Sequence, residues 1–343
     1  INVDFKVQTK ASLISSLVSG IVGISMALFG LGVWSLVGQQ LSRQLLNTFF
    51  LWFYCRWRPA WEFSIESFKE MFGFGSKLLV SGLIDTIYKN IYYIVIGRFY
   101  DPDQLGQYTR AEQFKLIFSS NLTAVVQRVS YPVLSSIQSE PVRLREAYRR
   151  VIKLTMIVTF ACMLGLAAIA KPLIILLIGE KWLPAVPFLQ IICFSGMLYP
   201  LHAINLNILQ VKGRSDLYLK LEIIKKIIAV ITIFIGIFWG IECMLWGGVF
   251  VSFISFFLNS YYSADLIDYS TKNQISDIFP FLIISLIVSF CIWLISFTEW
   301  SYIIILIIQI IVGIGLYWFI SEKLPIQEYQ EVRQLVFSLF KKK

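Results

Sequence analysis

Residues 300–320 read WSYIIILIIQIIVGIGLYWFI, a run without a charged side chain. About 20 mostly apolar residues in helical form cross the hydrocarbon core of a bilayer. A helix also satisfies its backbone N–H and C=O groups within the segment, as that solvent requires. The stretch is therefore expected to be a membrane helix. The same measure, carried outward, predicts nine more, at 11–32, 34–55, 74–99, 104–133, 152–178, 184–210, 217–239, 241–264 and 278–298. Turn-forming Gly and Pro separate them, as in Asp101-Pro102-Asp103, Lys212-Gly213-Arg214 and Trp239-Gly240.

Composition agrees. Of 343 residues, 57% are hydrophobic, 16% aromatic and 15% charged, and mean hydropathy is +0.72. Soluble domains carry about 25% charged residues, so there is too little charge here to coat a soluble surface. A soluble enzyme, a disordered chain and a disulfide-stapled module are excluded, and the fold class is an all-α polytopic membrane protein of about ten helices. The five cysteines are scattered through apolar runs with no CxxC pair, and read as small buried hydrophobes. His202 is the one histidine, so neither a histidine metal cluster nor a Ser-His-Asp site is expected, and no cofactor. The first residue is Ile1, and INVDFKVQTK lacks the character of a signal peptide. The start reads as the interior of a longer protein.

Net charge is +9. In a soluble protein that would suggest nucleic acid. In a membrane protein it points first to basic cytoplasmic loops. With the loops alternating sides, nineteen of the 30 basic residues fall on the side of the N-terminus, among them Arg56, Arg58, Arg143, Arg145, Arg149, Arg150, Lys212 and Arg214. Three fall on the other, Arg98, Lys171 and Lys181. Both ends of the chain are thus expected in the cytoplasm. Two stretches have amphipathic spacing, 61–72 (Trp61, Ile65, Phe68, Phe72) and 326–343 (Ile326, Tyr329, Val332, Val336, then three lysines). They suit helices on an anionic leaflet, or else a solvated linker and tail.

Polar groups at membrane depth should face protein or water. At about 100° per residue, Lys77, Ser81, Asp85, Tyr88, Lys89 and Tyr92 share one face of 74–99, with Leu79, Leu83, Ile87, Ile91 and Ile94 behind; Asn90 breaks the pattern. In 104–133 the residues Tyr108, Glu112, Lys115, Ser119, Thr123 and Gln127 recur at spacings of three and four, with Phe114, Phe118, Leu122, Val125 and Val129 opposite. Helix 34–55 clusters Gln39, Gln40, Arg43, Gln44 and Asn47, and 184–210 carries His202, Asn205, Asn207 and Gln210 over a wider arc. These faces predict a hydrated cavity, cationic enough for an anion and rich in tyrosine and amide groups for sugars. The competing reading is helix-to-helix adhesion, with Asp85 paired to Lys89 and Glu112 to Lys115. Arg110 and Arg128 lie off the stripe. Glu222, Lys225 and Lys226 are expected at the inner interface. Gly30-Leu31-Gly32 and Gly73-Phe74-Gly75 lack the context of nucleotide loops, and Asn121-Leu122-Thr123 is a glycosylation sequon by spelling alone.

The stretches GVWSLVGQQL (32–41), FGFGSKLLVSGLIDTIYKNIYYIVIGRFYDPDQLGQYTRA (72–111), SYPVLSSIQSE (130–140), KPLIILLIGEKWLPAVPFLQII (171–192) and LQVKGRSD (209–216) occur in that order. Together they resemble polysaccharide and O-unit flippases of the Wzx type, in the colanic-acid-exporter-like branch of the multidrug/oligosaccharidyl-lipid/polysaccharide exporter superfamily. The resemblance runs over about 5–320. It implies twelve to fourteen helices in two six-helix lobes, of which the first four would be missing here. Residues 1–55 would hold the last two helices of the N-lobe, 56–73 a cytoplasmic linker, 74–265 the C-lobe, 278–320 two additional helices and 321–343 a cytoplasmic tail. It further implies the bacterial inner membrane, alternating access and an undecaprenyl-diphosphate-linked oligosaccharide as substrate, with the lipid bilayer and other polysaccharide-assembly membrane proteins as partners and no nucleic acid. On that reading Arg43, Lys77, Lys89 and Lys115 are the cationic lining and Tyr88, Tyr92 and Tyr108 the sugar-facing rings. Asp85 is a coupling-ion candidate that could instead bridge to Lys89. The alternatives are an ion-coupled drug exporter, whose cavity should be acidic, and a membrane polysaccharide polymerase or glycosyltransferase, which should carry a long periplasmic loop with paired functional residues.

Overall fold

The computed structural model describes residues 5–54 and 90–323, with 64, 65, 68, 69, 72, 83, 86 and 87 between them, and the described elements are all helices and turns. In chain order they are α1 (Phe5–Leu28), α2 (Trp34–Tyr54), α3 (helical over 90–99), α4 (Pro102–Ser136), α5 (Pro141–Ile178), α6 (Ala185–Gly196), α7 (Tyr199–Val211), α8 (Ser215–Trp239), α9 (Ile241–Ile267), α10 (Thr271–Leu294) and α11 (Tyr302–Lys323). The chain is an all-α, multi-pass membrane protein. Among the described residues six stretches are long and apolar enough to cross a bilayer on length and composition alone: Thr9–Leu28, Pro141–Ile178, Ala185–Val211, Ile241–Ile267, Thr271–Phe297 and Tyr302–Lys323.

The chain forms two compact units, 1–81 and 82–343. In the first, α1 and α2 form a hairpin turned at Gly30 (φ +76°) and Gly32 (φ +51°), a conformation that costs a glycine little. The two helices approach closely. A Cβ on Gly23 would sit 2.9 Å from the Gln39 Cβ, and one on Gly38 would strike the Met26 sulfur. Ile65, Phe68 and Phe72 are exposed, and Phe68 donates its backbone N–H to Ser64 at 2.9 Å, as in one helical turn. Trp61 and the stretch 326–343 lie outside the described residues.

In the second unit, α4 and α5 each start with a proline at a first-turn position, where its missing N–H goes unmissed. Helix α5 is the centrepiece, packed against α6, α10 and α11. Tyr148, Met156, Phe160 and Met163 of α5 join Leu189, Leu201 and Ile204 in a single core. Helix α9 packs on α6, α7 and α8. Outward faces are greasy: on α11, Ile303, Ile307, Ile311, Ile314 and Phe319 are all exposed. That arrangement suits lipid and would be an aggregation hazard in water.

One predicted helix, 184–210, proves to be two, α6 and α7, broken at Met197–Leu198. Pro200 stands in the first turn of α7, where it has no N–H to extend a helix backward. Gly196 ends α6 where a Cβ would press within 2.5 Å of the Met163 terminal methyl and 3.1 Å of the Lys115 stem.

Candidate functional site

The polar face of α4 turns inward. Tyr108, Ser119 and Thr123 are buried, and Glu112 and Lys115 are 13% and 16% exposed, while Phe118, Val125 and Val129 face out. Gln127, at the end of the stripe, is exposed. The hydroxyls are satisfied locally: Ser119 donates to the Lys115 carbonyl at 3.0 Å and Thr123 to that of Ser119 at 2.7 Å. Lys115 Nζ pairs with Glu112 at 2.7 Å and runs beside Gly196 of α6. It is an ion-paired group inside the unit, the pairing that the adhesion reading expects.

Two of the predicted tyrosines meet. The rings of Tyr92 and Tyr108 stack at 6.2 Å, and Tyr93 meets Tyr108 edge-on at 5.3 Å. Tyr108 is only 5% exposed. The Tyr92 hydroxyl lies over Gly248 of α9, 2.8 Å from where a Cβ would stand. Tyr93 was missed from the sequence, where its neighbour took the stripe position. Arg43 is exposed on α2, in the first unit. Lys77, Asp85, Tyr88 and Lys89 lie outside the described residues.

Arg110 leaves the stripe to cover the Trp182 ring at 5.0 Å and donates to Gln113 at 3.0 Å. Lys225 and Glu222 are partly buried against neighbouring helices. They pair at 2.5 Å with side chains 12% and 25% exposed. Nearby, His202 Nε2 lies 3.0 Å from the Ser252 hydroxyl. The amides of 184–210 are structural in part: Asn205 accepts from Tyr148 and from Ser263, each at 2.7 Å.

A further polar cluster stands where α5 meets the α9–α10 turn. Asp277 accepts two bonds from Arg149 (2.5 and 2.6 Å) and one from the Tyr269 hydroxyl (2.6 Å), with Lys153 at 3.6 Å, and Arg145 reaches Asp268 at 2.8 Å. The partners lie more than 100 residues apart except Tyr269, so no local spacing foretold them. Burial, then its bond to Asp277, raises the Tyr269 hydroxyl above the ordinary tyrosine range. A polar pocket of 380 Å³ opens there between Arg145, Arg149, Asn273 and Asp277. An apolar cleft of 840 Å³ lies between α5, α10 and α11, lined by Phe118, Cys162, Leu166, Val288, Ile314 and Trp318. Among the described residues no three of His, Cys, Asp and Glu gather as metal ligands.

These features can be set beside known proteins. The family described as polysaccharide biosynthesis protein matches residues 1–187. The chain is 30% identical over 230 residues to the teichuronic acid biosynthesis protein TuaB of Bacillus subtilis (strain 168), covering 66% of this chain and 48% of TuaB. It is 27% identical over 180 residues to the lipopolysaccharide biosynthesis protein WzxC of Escherichia coli (strain K12), covering 52% of this chain and 37% of WzxC. The chain thus spans about half or less of the length of these relatives. In fold it resembles the lipid II flippase MurJ in an inward closed conformation, with a TM-score of 0.70 at 18% identity over 90% of this chain and 66% of that one. Since the family match takes in more than half of its length, the chain belongs to the polysaccharide biosynthesis proteins.

Proposed function

We propose that this chain is part of a flippase that carries polyprenyl-diphosphate-linked oligosaccharide across the bacterial inner membrane by alternating access. The observation that carries this reading is the inward polar face of α4, with Lys115, Glu112 and Tyr108, the last clustered with Tyr92 and Tyr93 of α3, and an exposed apolar face behind. A diphosphate and its sugars cannot enter hydrocarbon without great desolvation cost. Polar helix faces within the membrane offset that cost, and rocking of two lobes would expose them to one side at a time. The apolar cleft between α5, α10 and α11 suits a hydrocarbon chain. The relatives named for teichuronic acid and lipopolysaccharide biosynthesis, and the fold shared with a lipid II flippase, support the same substrate class.

In this reading Arg43, Lys77 and Lys89 supply cationic lining, Lys115 joins them only on exchanging Glu112 for the substrate's phosphate, Tyr88, Tyr92 and Tyr108 meet sugar, and Asp85 is the coupling-ion candidate. Residues 1–55 are the last two helices of an N-lobe, 56–73 a cytoplasmic amphipathic linker, 74–265 a C-lobe, 278–320 two additional helices and 321–343 a cytoplasmic tail. The chain transports and does not catalyse. The test is export by the full-length protein carrying Lys77→Ala with Lys89→Ala. Surface polysaccharide should fall at least tenfold at equal protein level, and normal export would remove the cationic cavity. Efflux of cationic dyes by the same protein would favour a drug exporter instead.

A further inference from the structure

The polar pocket beside the start of α5 has no part in the reading above. Its volume of 380 Å³ lies in the range of small-ligand sites, about 300–1,000 Å³. Arg145, Glu146 and Arg149 wall it from α5, Asp268 and Tyr269 from the α9–α10 turn, and Asn273, Ser276 and Asp277 from α10. Asp277 is the buried carboxylate of this wall, taken up by Arg149, Lys153 and Tyr269. The outer wall carries both signs. Glu146 and Asp268 are exposed, and Asp268 is held in place by a left-handed backbone (φ +52°). Arg145 donates to the Asp268 carboxylate at 2.8 Å and to its carbonyl at 3.3 Å, both times from Nη1. A guanidinium carries further N–H donors on its other two nitrogens. Arg145, Arg149 and Lys153 thus balance Glu146, Asp268 and Asp277. A bare anion would meet carboxylates here, and a bare cation would meet the arginine. A ligand with both charges on one short chain matches both.

What adjoins the pocket on α10 points to the bearer of those charges. At about 100° per residue, Ser276 shares a face of α10 with Ile283, Ile287, Phe290 and Leu294, all four exposed, and Phe279 is exposed beside them. This apolar ridge runs outward from the pocket wall along the helix. From Ser276 to Leu294 the rise is about 27 Å at 1.5 Å per residue, close to the roughly 30 Å of hydrocarbon in a bilayer. Ser276 therefore falls where acyl chains give way to headgroups. The apolar cleft described above opens on the opposite face of α10, through Ser285, Val288 and Ile292, so the two surfaces are separate.

We propose that this pocket binds the headgroup of an aminophospholipid of the phosphatidylethanolamine class, whose acyl chains lie against the outer ridge of α10. The phosphate accepts from the remaining N–H groups of Arg145, the Asn273 amide and the Ser276 hydroxyl. The ammonium donates to the Glu146 and Asp268 carboxylates. Hydrogen bonds of this charge-assisted kind are the strong ones. A choline headgroup has no N–H to donate, and a glycerol headgroup brings a negative charge with nothing for the carboxylates. The inference goes beyond the flippase reading and holds whatever cargo the protein carries.

The test titrates the full-length protein in detergent with dioleoyl phosphatidylethanolamine, phosphatidylcholine and phosphatidylglycerol, and counts bound lipid by native mass spectrometry. The wild type should hold the ethanolamine lipid about tenfold tighter than either of the others, the worth of one hydrogen bond to a charged group. Glu146→Gln with Asp268→Asn should erase the preference over the choline lipid and should bind the glycerol lipid several-fold tighter than the wild type does. Asparagine tolerates the left-handed backbone at 268. Arg145→Ala should weaken the ethanolamine and glycerol lipids several-fold. Arg143→Ala, at an exposed arginine paired with Glu140, should leave every ratio unchanged. The altered side chains form only exposed pairs, which contribute little to stability, and an unfolding midpoint close to that of the wild type checks that each variant is folded. Soluble phosphoethanolamine should not displace the lipid at concentrations where the lipid itself saturates. An absent ethanolamine preference in the wild type overturns the proposal, as does a preference that survives loss of both carboxylates. Equal effects of Arg143→Ala and Arg145→Ala overturn it in favour of diffuse attraction between basic loops and anionic lipid. Displacement by phosphoethanolamine at such concentrations overturns it in favour of a soluble ligand.

Discussion

At the scale of single residues, the groups that sequence spacing identified and those it missed differ in one respect. Glu112 and Lys115 are three apart on one helix, so their pairing could be anticipated and is found at 2.7 Å. Asp277 draws Arg149, 128 positions away, and Tyr269, eight away across a turn. Composition and period carry no trace of that meeting. The Asp277 side chain is 10% exposed and saturated with donors. Asp277→Ala should strip Arg149, Lys153 and Tyr269 of their shared acceptor and cost about 1–3 kcal/mol, read as a lowered midpoint of thermal unfolding in detergent. Asp277→Glu should recover part of it. An unchanged midpoint for Asp277→Ala would mean that this cluster only decorates the surface.

At the scale of elements, helix positions were legible because apolar runs of about 20 residues have few other uses. Residues 241–264 and 278–298 were predicted, and α9 and α10 are found at Ile241–Ile267 and Thr271–Leu294. The division of 184–210 was not foreseen, because Gly196 and Pro200 sit in an apolar run that hydropathy reads as continuous. Close helix approach was equally invisible. A Cβ on Gly236 of α8 would strike the Met244 Cβ and come within 2.7 Å of its Cα in α9, a backbone atom that cannot step aside. Gly165 of α5 has nothing within 4 Å. Gly236→Ala should therefore destabilise by about 1–3 kcal/mol through overpacking. Gly165→Ala should be neutral or stabilising by up to about 1 kcal/mol, since alanine is the better helix former. Unfolding midpoints of the two variants, measured side by side, check the contrast.

At the scale of the whole molecule, the basic residues carry the prediction. Loop charge orients membrane proteins, and Arg143, Arg150 and Lys212 stand on one side of the sequence-derived topology with Lys171 and Lys181 on the other. Cysteine placed at Lys212 in an otherwise cysteine-free full-length protein should react with an impermeant maleimide only from the cytoplasmic face, and at Lys181 only from outside. The opposite pattern would invert the topology. The proposed class of substrate, by contrast, rests on resemblance, because tyrosines, amides and lysines on a helix face suit many polar ligands.

Helix α5 has 38 residues, or about 57 Å at 1.5 Å per residue, against about 30 Å of hydrocarbon. Its arginine-bearing start must therefore stand out like a mast in the aqueous phase, while Phe160 and Met163 are set deep in the hull. A push on that wet end, whether from a neighbouring protein or a charged headgroup, would be transmitted along a stiff rod to the middle of the bundle with little lost on the way.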